Sequence, residues 1–304
     1  MIYKSKYHNL DFIKEYSLVL SLDKDEKTIR SYLTSVDRFF DFLNIKSNED
    51  IFNIPTIKGR EYQEHLKNSG VSHNSINTYF LFLKTFFNWL VGEEKIERSP
   101  LEKVKNLKPN DINRAFFSEE EIGKFFEHCK TNEEFAMFGI YFTTGLRRAE
   151  LINIKLSQLD GSTIHNVIVK RGKTRNVYIP DDVLKYLVKY LKQRNKKYPD
   201  SEYLFVSNWG RKFSGEGIRY KFNSILERAG FSEERIKELH VHSTRHTFAT
   251  NILSSGENMK TAQECLGHSS IQTTQKIYAH VRENHVENVM RNQNLLSINT
   301  GMKG

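Results

Sequence analysis

Two arginines, two histidines and a tyrosine between residues 147 and 278 are of the types that hold and attack a phosphodiester. They are Arg147 in TTGLRRAEL, His242 and Arg245 in HVHSTRH, His268 in CLGHSS and Tyr278 in QKIYAHV. A guanidinium is a rigid fork of N–H donors that matches phosphate oxygens, and charge-assisted bonds of this kind are roughly twice as strong as neutral ones. A phenol oxygen serves as a covalent nucleophile once a neighbour takes its proton. Chemistry of this sort needs no metal, because the arginines supply the positive charge.

His242 and Arg245 are three apart and project from one side of a helix. Phe248, Ala249, Ile252 and Leu253 continue that helix as an apolar stripe, which leaves the polar pair at its N-terminal end, where backbone N–H groups favour an anion. Alone, an HxxR pair is an ordinary polar helix start, His268 an ordinary histidine and Tyr278 one tyrosine among fourteen. Zinc on His240, His242 and His246 is disfavoured, since no cysteine or acidic residue sits at ligand spacing and no HExxH occurs. No metal and no other cofactor is expected. The Gly172–Thr174 GKT is not a phosphate loop, because Val167 stands where that pattern requires glycine and no helix follows.

Composition points to a polyanionic partner. Lys+Arg 46 against Asp+Glu 37 leaves a net charge of +9 and a pI near 9.3, which favours phosphate neutralisation with counterion release. Two cysteines, Cys129 and Cys265, are too few and too far apart for a disulfide framework or a zinc knuckle, so a reducing compartment is implied. MIYKSKYHNLDF lacks the apolar core of a signal peptide, and YSLVLSL is far short of the ~20 residues that span a bilayer. A cytoplasmic protein without membrane contact is expected.

The elements that must position the site follow from periodicity. Ile29, Tyr32, Leu33, Val36, Phe39, Phe40 and Leu43 recur with the 3-4 spacing of one helical face, as do Ile76, Tyr79, Phe80, Leu83, Phe86, Phe87 and Leu90. The chain is therefore divided into a helical domain over 1–105, a linker over 106–115 rich in charge and poor in periodicity, a second domain over 116–282 and a tail over 283–304. Ser118 with Glu121 reads as a capping box opening the second domain. A helix ends at Thr144-Gly145 and another starts after it, carrying Arg147. NVIVK and RNVYI alternate on either side of KRGKT as a β-hairpin with Gly172 in its turn. Helices follow over DDVLKYLVKYLKQRN, GIRYKFNSILERAG and HSTRHTFATNILSSG, with a last run through IQTTQKIYAHV. The tail keeps Val286, Val289, Met290 and Leu296 at helical spacing, suited to docking.

The order of TTGLRRAEL, the basic hairpin, HVHSTRHTFAT and LGHSSIQTTQKIYAHV resembles the tyrosine site-specific recombinases, the phage integrase and Xer family. The resemblance covers nearly the whole chain and is specific in the three boxes TTGLRRAEL, HVHSTRHTFAT and LGHSSIQTTQKIYAHV. It implies a mainly α protein with a small β-hairpin or sheet in its catalytic domain, two domains closing as a C-shaped clamp on DNA. By position it implies Arg147 and Arg245 on the non-bridging oxygens, His242 as the base for Tyr278, His268 bonded to phosphate or phenol, and Glu150 bracing the arginines. The general acid is Lys170 when the hairpin is aligned through Arg175 and Val177, whereas counting back from Pro180 brings Lys173 closer. Arg171 and Arg175 in the turn and Lys84 on the first domain are expected DNA contacts.

The reaction implied is strand exchange at a specific double-stranded DNA site through a 3′-phosphotyrosine and a Holliday junction, without ATP or metal. The resemblance also implies a homotetramer on two sites, the C-terminal helix handed to a neighbour, and room for accessory DNA-bending or partner recombinase proteins. Two alternatives stand beside this reading. A type IB topoisomerase uses similar residues, but the short helical first domain favours the recombinase. A DNA-binding module without catalysis is the other, and the filled catalytic positions count against it.

Overall fold

The computed structural model describes residues 3–110, 115–169, 172–255 and 259–266. The chain divides into two compact units, 1–112 and 113–304. The first is built from α1 (Asp11–Ser21), α2 (Glu26–Leu43), α3 (Glu49–Phe52), α4 (Thr56–Asn68) and α5 (His73–Gly92). The side chain of Asp25 caps α2 by accepting from the Thr28 N–H at 2.9 Å, and Asn44 ends it in the left-handed region. The two periodic faces then meet. Phe39 packs edge-on to Phe87 and Phe40 to Phe86, while Tyr16 of α1 closes on Phe86 and Tyr62 of α4 on Phe39. Each buried ring contributes roughly 1.5–3 kcal/mol of burial free energy, so this cluster alone accounts for a hydrophobic core.

The chain leaving this unit is more constrained than a free linker. Asn77 on α5 holds both backbone groups of Leu107, donating to its carbonyl at 2.8 Å and accepting from its N–H at 2.9 Å. His73 and Asn74 pair with the carbonyls of Lys108 and Asn110. The expected linker of 106–115 is thus strapped to α5 as far as residue 110. Its polar composition reflects side-chain pairing that periodicity cannot display. Residues 111–114 lie outside the described residues.

The second unit runs α6 (Glu119–Glu127), α7 (Asn132–Thr144), α8 (Arg148–Ile152), a 3₁₀ turn (Leu156–Gln158), β1 (Leu159–Asp160), β2 (Thr163–Ile168), β3 (Thr174–Tyr178), α9 (Asp181–Lys197), α10 (Gly215–Arg228), α11 (Glu233–Glu238), α12 (Val241–Ser254) and α13 (Met259–Leu266). The Ser118–Glu121 capping box opens α6 with both bonds formed, at 3.2 and 2.9 Å. Helix α7 is almost wholly buried, packed between α9 and α12. Its Phe138 and Phe142 interlock with Phe117, Phe125 and Phe222. The sheet is antiparallel in the order β1-β2-β3. A third strand thus joins the expected hairpin, and Asn166, at φ +52°, forms a bulge between the Ile164–Val177 and Val167–Arg175 pairs. Among the described residues no helix is long and apolar enough to cross a membrane.

Candidate active site

The bend between α7 and α8 presents the first arginine. Gly145 ends α7 at φ +60°, a conformation that costs an L-residue roughly 1–2 kcal/mol. A Cβ there would also lie 2.4 Å from the Phe248 ring and 3.1 Å from Leu266, so glycine is required by dihedral and by packing together. Arg147 follows as the N-cap of α8 in extended conformation. Glu150, buried, accepts from the Arg147 N–H at 2.9 Å with Oε2 and from Arg147 Nη1 at 2.6 Å with Oε1. The carboxylate therefore fixes both backbone and guanidinium of Arg147, whose side chain keeps 29% of its surface exposed for a ligand.

Helix α12 presents the second. The sequence suggests an apolar stripe behind a polar start, but Ser243, Thr244, Arg245 and Thr247 are themselves buried. Their burial is tolerated because the hydroxyls are satisfied locally. Thr244 donates to the Val241 carbonyl at 2.7 Å, and Thr247 donates to Ser243 at 2.9 Å while accepting from the Phe117 N–H at 2.9 Å. Arg245 donates to the carbonyls of Gly145 and, at 2.6 Å, Leu266. His242, one turn earlier, is exposed, its ring edge-on to His246 at 4.9 Å between centroids. The pair expected on one face thus differs in depth, with the arginine inside and the histidine at the surface.

The basic hairpin is not uniform. Its neck is closed by the Val169 N–H bonded to the Lys173 carbonyl at 2.7 Å, with Gly172 at φ +71° and Lys173 exposed. Arg175, expected among the DNA contacts, instead turns inward and donates to the carbonyls of Cys265 and, at 3.2 Å, Thr144. The reason is strand alternation, which puts Arg175 on the same face as the buried Val177 and Ile179. Lys84 commits one donor, at 2.6 Å, to the Val104 carbonyl, leaving the rest of its ammonium for a ligand. Lys170, Arg171, His268 and Tyr278 lie outside the described residues, as does the tail from 283.

Electrostatically the site is a cluster of three guanidiniums and one carboxylate. Burial first, then the charges of Arg147 and Arg175, hold the Arg245 guanidinium below its ordinary range, to about 9, with Glu150 opposing them. Burial likewise lowers Arg175, Glu150 opposing it and Arg147 adding to the effect. A site that resists its own positive charge binds an anion well, since the anion removes the repulsion. Among the described residues no group of three or more His, Cys, Asp or Glu side chains is placed to hold a metal ion.

A helical unit is thus followed by a mixed unit that carries the Arg147–Glu150 pair and the buried Arg245. Residues 115–285 match the phage integrase family, and residues 13–94 match the phage integrase N-terminal SAM-like domain. The chain belongs to the phage integrase family. It is 31% identical over 292 residues, 91% of each chain, to tyrosine recombinase XerC of Leptospira interrogans, and 30% identical over 277 residues, 86% of this chain and 89% of the relative, to XerC of Listeria innocua. The XerA recombinase crystal structure is similar at 27% identity and a TM-score of 0.52, covering 91% of this chain and 98% of that one. The fold is shared with XerH recombinase bound to palindromic difH, at a TM-score of 0.71 and 20% identity over 88% of this chain and 80% of that one.

Proposed function

We propose that this enzyme recombines DNA at a specific site by breaking and rejoining strands through a covalent link to Tyr278. The observation that carries the reading is the buried clamp: Arg245 inside, Arg147 beside it at the helix start, and Glu150 bracing the latter. In this mechanism the two guanidiniums hold the non-bridging oxygens of the scissile phosphate and stabilise the charge that builds there. His242, exposed at the start of α12, takes the proton of Tyr278. The phenolate attacks phosphorus, forming a 3′-phosphotyrosine, and a lysine of the hairpin protonates the departing 5′-oxygen. His268 bonds the phosphate or the phenol. A 5′-hydroxyl from a second strand then reverses the step and yields a Holliday junction. The link to tyrosine conserves the phosphodiester bond energy, so ATP is not required.

Partners follow from the same reading: a double-stranded DNA site, a homotetramer on two such sites and an exchanged C-terminal segment over 283–304. The finer division is proposed with them: 1–105, with the strapped residues up to 110, holds the core of the site, 111–115 link the units and 116–282 do the chemistry. Arg171 and Lys173 contact backbone phosphates from the turn and Lys84 contacts DNA from the first unit.

The test is adduct formation in EDTA on a cognate site carrying a nick, so that the cut strand diffuses away. Wild type should accumulate a covalent protein–DNA adduct without added metal. Tyr278→Phe, which removes only the oxygen, should bind the site and form none. A normal adduct from Tyr278→Phe moves the nucleophile to another tyrosine, and dependence on magnesium overturns the mechanism.

A further inference from the structure

Two guanidiniums form a paired strap across the active-site bend. Arg175 bonds the carbonyls of Thr144 and Cys265, while Arg245 bonds those of Gly145 and Leu266. They thus take consecutive carbonyls on both sides, 144 and 145 where α7 ends and 265 and 266 in α13. The final carbonyls of α7 have no intrahelical partner, and a cation there is favoured by the helix dipole. A single anchor at Arg245 would let α13 pivot about it, and a second anchor one residue away fixes the rotation.

We propose that Arg175 is a positioning residue for strand cleavage, holding the Cys265–Leu266 stretch of α13, which His268 follows in sequence, in register with the Arg147–Arg245 clamp. One guanidinium joins three parts of the site: the strand that follows the basic turn, the bend that carries Arg147 and the helix that leads to His268. The Asn166 bulge lies between this stretch of the β2–β3 ladder and the next, where it re-aims the strand. The inference rests on the recombinase reading above. Its energetic logic is preorganisation, in which a displacement of about 1 Å in a reacting group costs on the order of 10²-fold in rate.

Arg175→Lys keeps the charge but not the planar fork, and Arg175→Met keeps the apolar stem. Both should lower the rate of adduct formation at saturating DNA, by on the order of 10²-fold for Met and less for Lys. In Arg175→Lys, which keeps the charge, affinity for the site and the slope of its salt dependence should stay at wild-type values, because Arg175 faces carbonyls and not phosphate. Amide hydrogen exchange over 259–266 should accelerate in both variants. The inference is overturned if affinity weakens and the salt slope falls while the saturated rate is unchanged, which would make Arg175 a phosphate contact. It is equally overturned if exchange in α13 is unaltered. Should wild type form no adduct, the recombinase reading fails, and exchange in α13 still decides whether the strap exists. If the Met variant does not fold, the Lys variant carries the test.

Discussion

Arg245 is a buried cation whose direct partners are two carbonyls, and that choice makes its charge sensitive to what the site holds. Burial first holds its pKa below the ordinary guanidinium range, at about 9. Above that value, up to the ordinary range, the unfolded chain binds more protons than the folded one, so the Arg245 contribution to stability rises with pH across that window and its full cost is present below about 9. The stability difference between wild type and Arg245→Gln, taken from urea midpoints, should therefore move in wild type's favour as pH rises from neutral towards about 10. Inorganic phosphate at neutral pH should stabilise wild type more than the variant, since an anion that binds only the folded clamp adds free energy by mass action. A difference flat in pH, with equal stabilisation of both by phosphate, counts against the clamp. The lysines are separated by leaving-group chemistry. An alkoxide needs an acid and a thiolate does not, so Lys170→Ala should cleave an ordinary site very slowly and recover when the 5′-bridging oxygen is sulfur. Lys173→Ala should show weakened binding that is equal on both substrates, as suits an exposed residue at the hairpin neck. Sulfur rescue of Lys173→Ala alone exchanges the two roles.

Helix ends and strand faces decide where those side chains go, and Gly145 is the element-scale position on which most depends. Gly145→Ala meets a left-handed dihedral and a Phe248 ring carbon 2.4 Å from its new Cβ. The dihedral costs roughly 1–2 kcal/mol and the overpacking roughly 1–3 kcal/mol, so a loss of about 2–5 kcal/mol in unfolding free energy is expected, with cleavage impaired alongside. Adding Phe248→Leu should return part of the packing loss and none of the dihedral loss, which a double-mutant cycle reads directly. Full recovery in the double variant would show that the dihedral is not strained. This bend was legible in sequence because a glycine between a periodic run and RRAEL is a local signal, as were the Ser118–Glu121 box and the Gly172 turn. The inward set of Arg175 was not, although alternation with Val177 and Ile179 held the clue, because what covers a strand face comes from an element some 90 residues later. The buried Ser243, Thr244 and Thr247 escaped for a related reason. A hydroxyl satisfied by its own helix behaves as a core group yet reads as polar.

At the scale of the whole molecule the two units differ sharply in charge. Residues 1–112 hold 17 Lys and Arg against 16 Asp and Glu, and residues 113–304 hold 29 against 21, so eight of the nine net positive charges belong to the unit with the clamp. Counterion release scales with the phosphates a protein neutralises, at a slope of about −0.9 per contact on duplex DNA. Affinity for duplex DNA should therefore fall steeply between low and moderate salt, and most of that slope should trace to the second unit. On the proposal that Arg171 and Lys173 each contact one phosphate, Arg171→Ala and Lys173→Ala should each reduce the slope of log K against log salt by about one, uniformly over DNA sequences. Arg175→Lys should leave it unchanged, since its guanidinium is committed to the Thr144 and Cys265 carbonyls. Titrations at four or five salt concentrations on one cognate and one unrelated duplex make the comparison. A flat plot for wild type would remove the electrostatic basis for binding, and an undiminished slope in Arg171→Ala and Lys173→Ala would place the phosphate contacts elsewhere on the second unit.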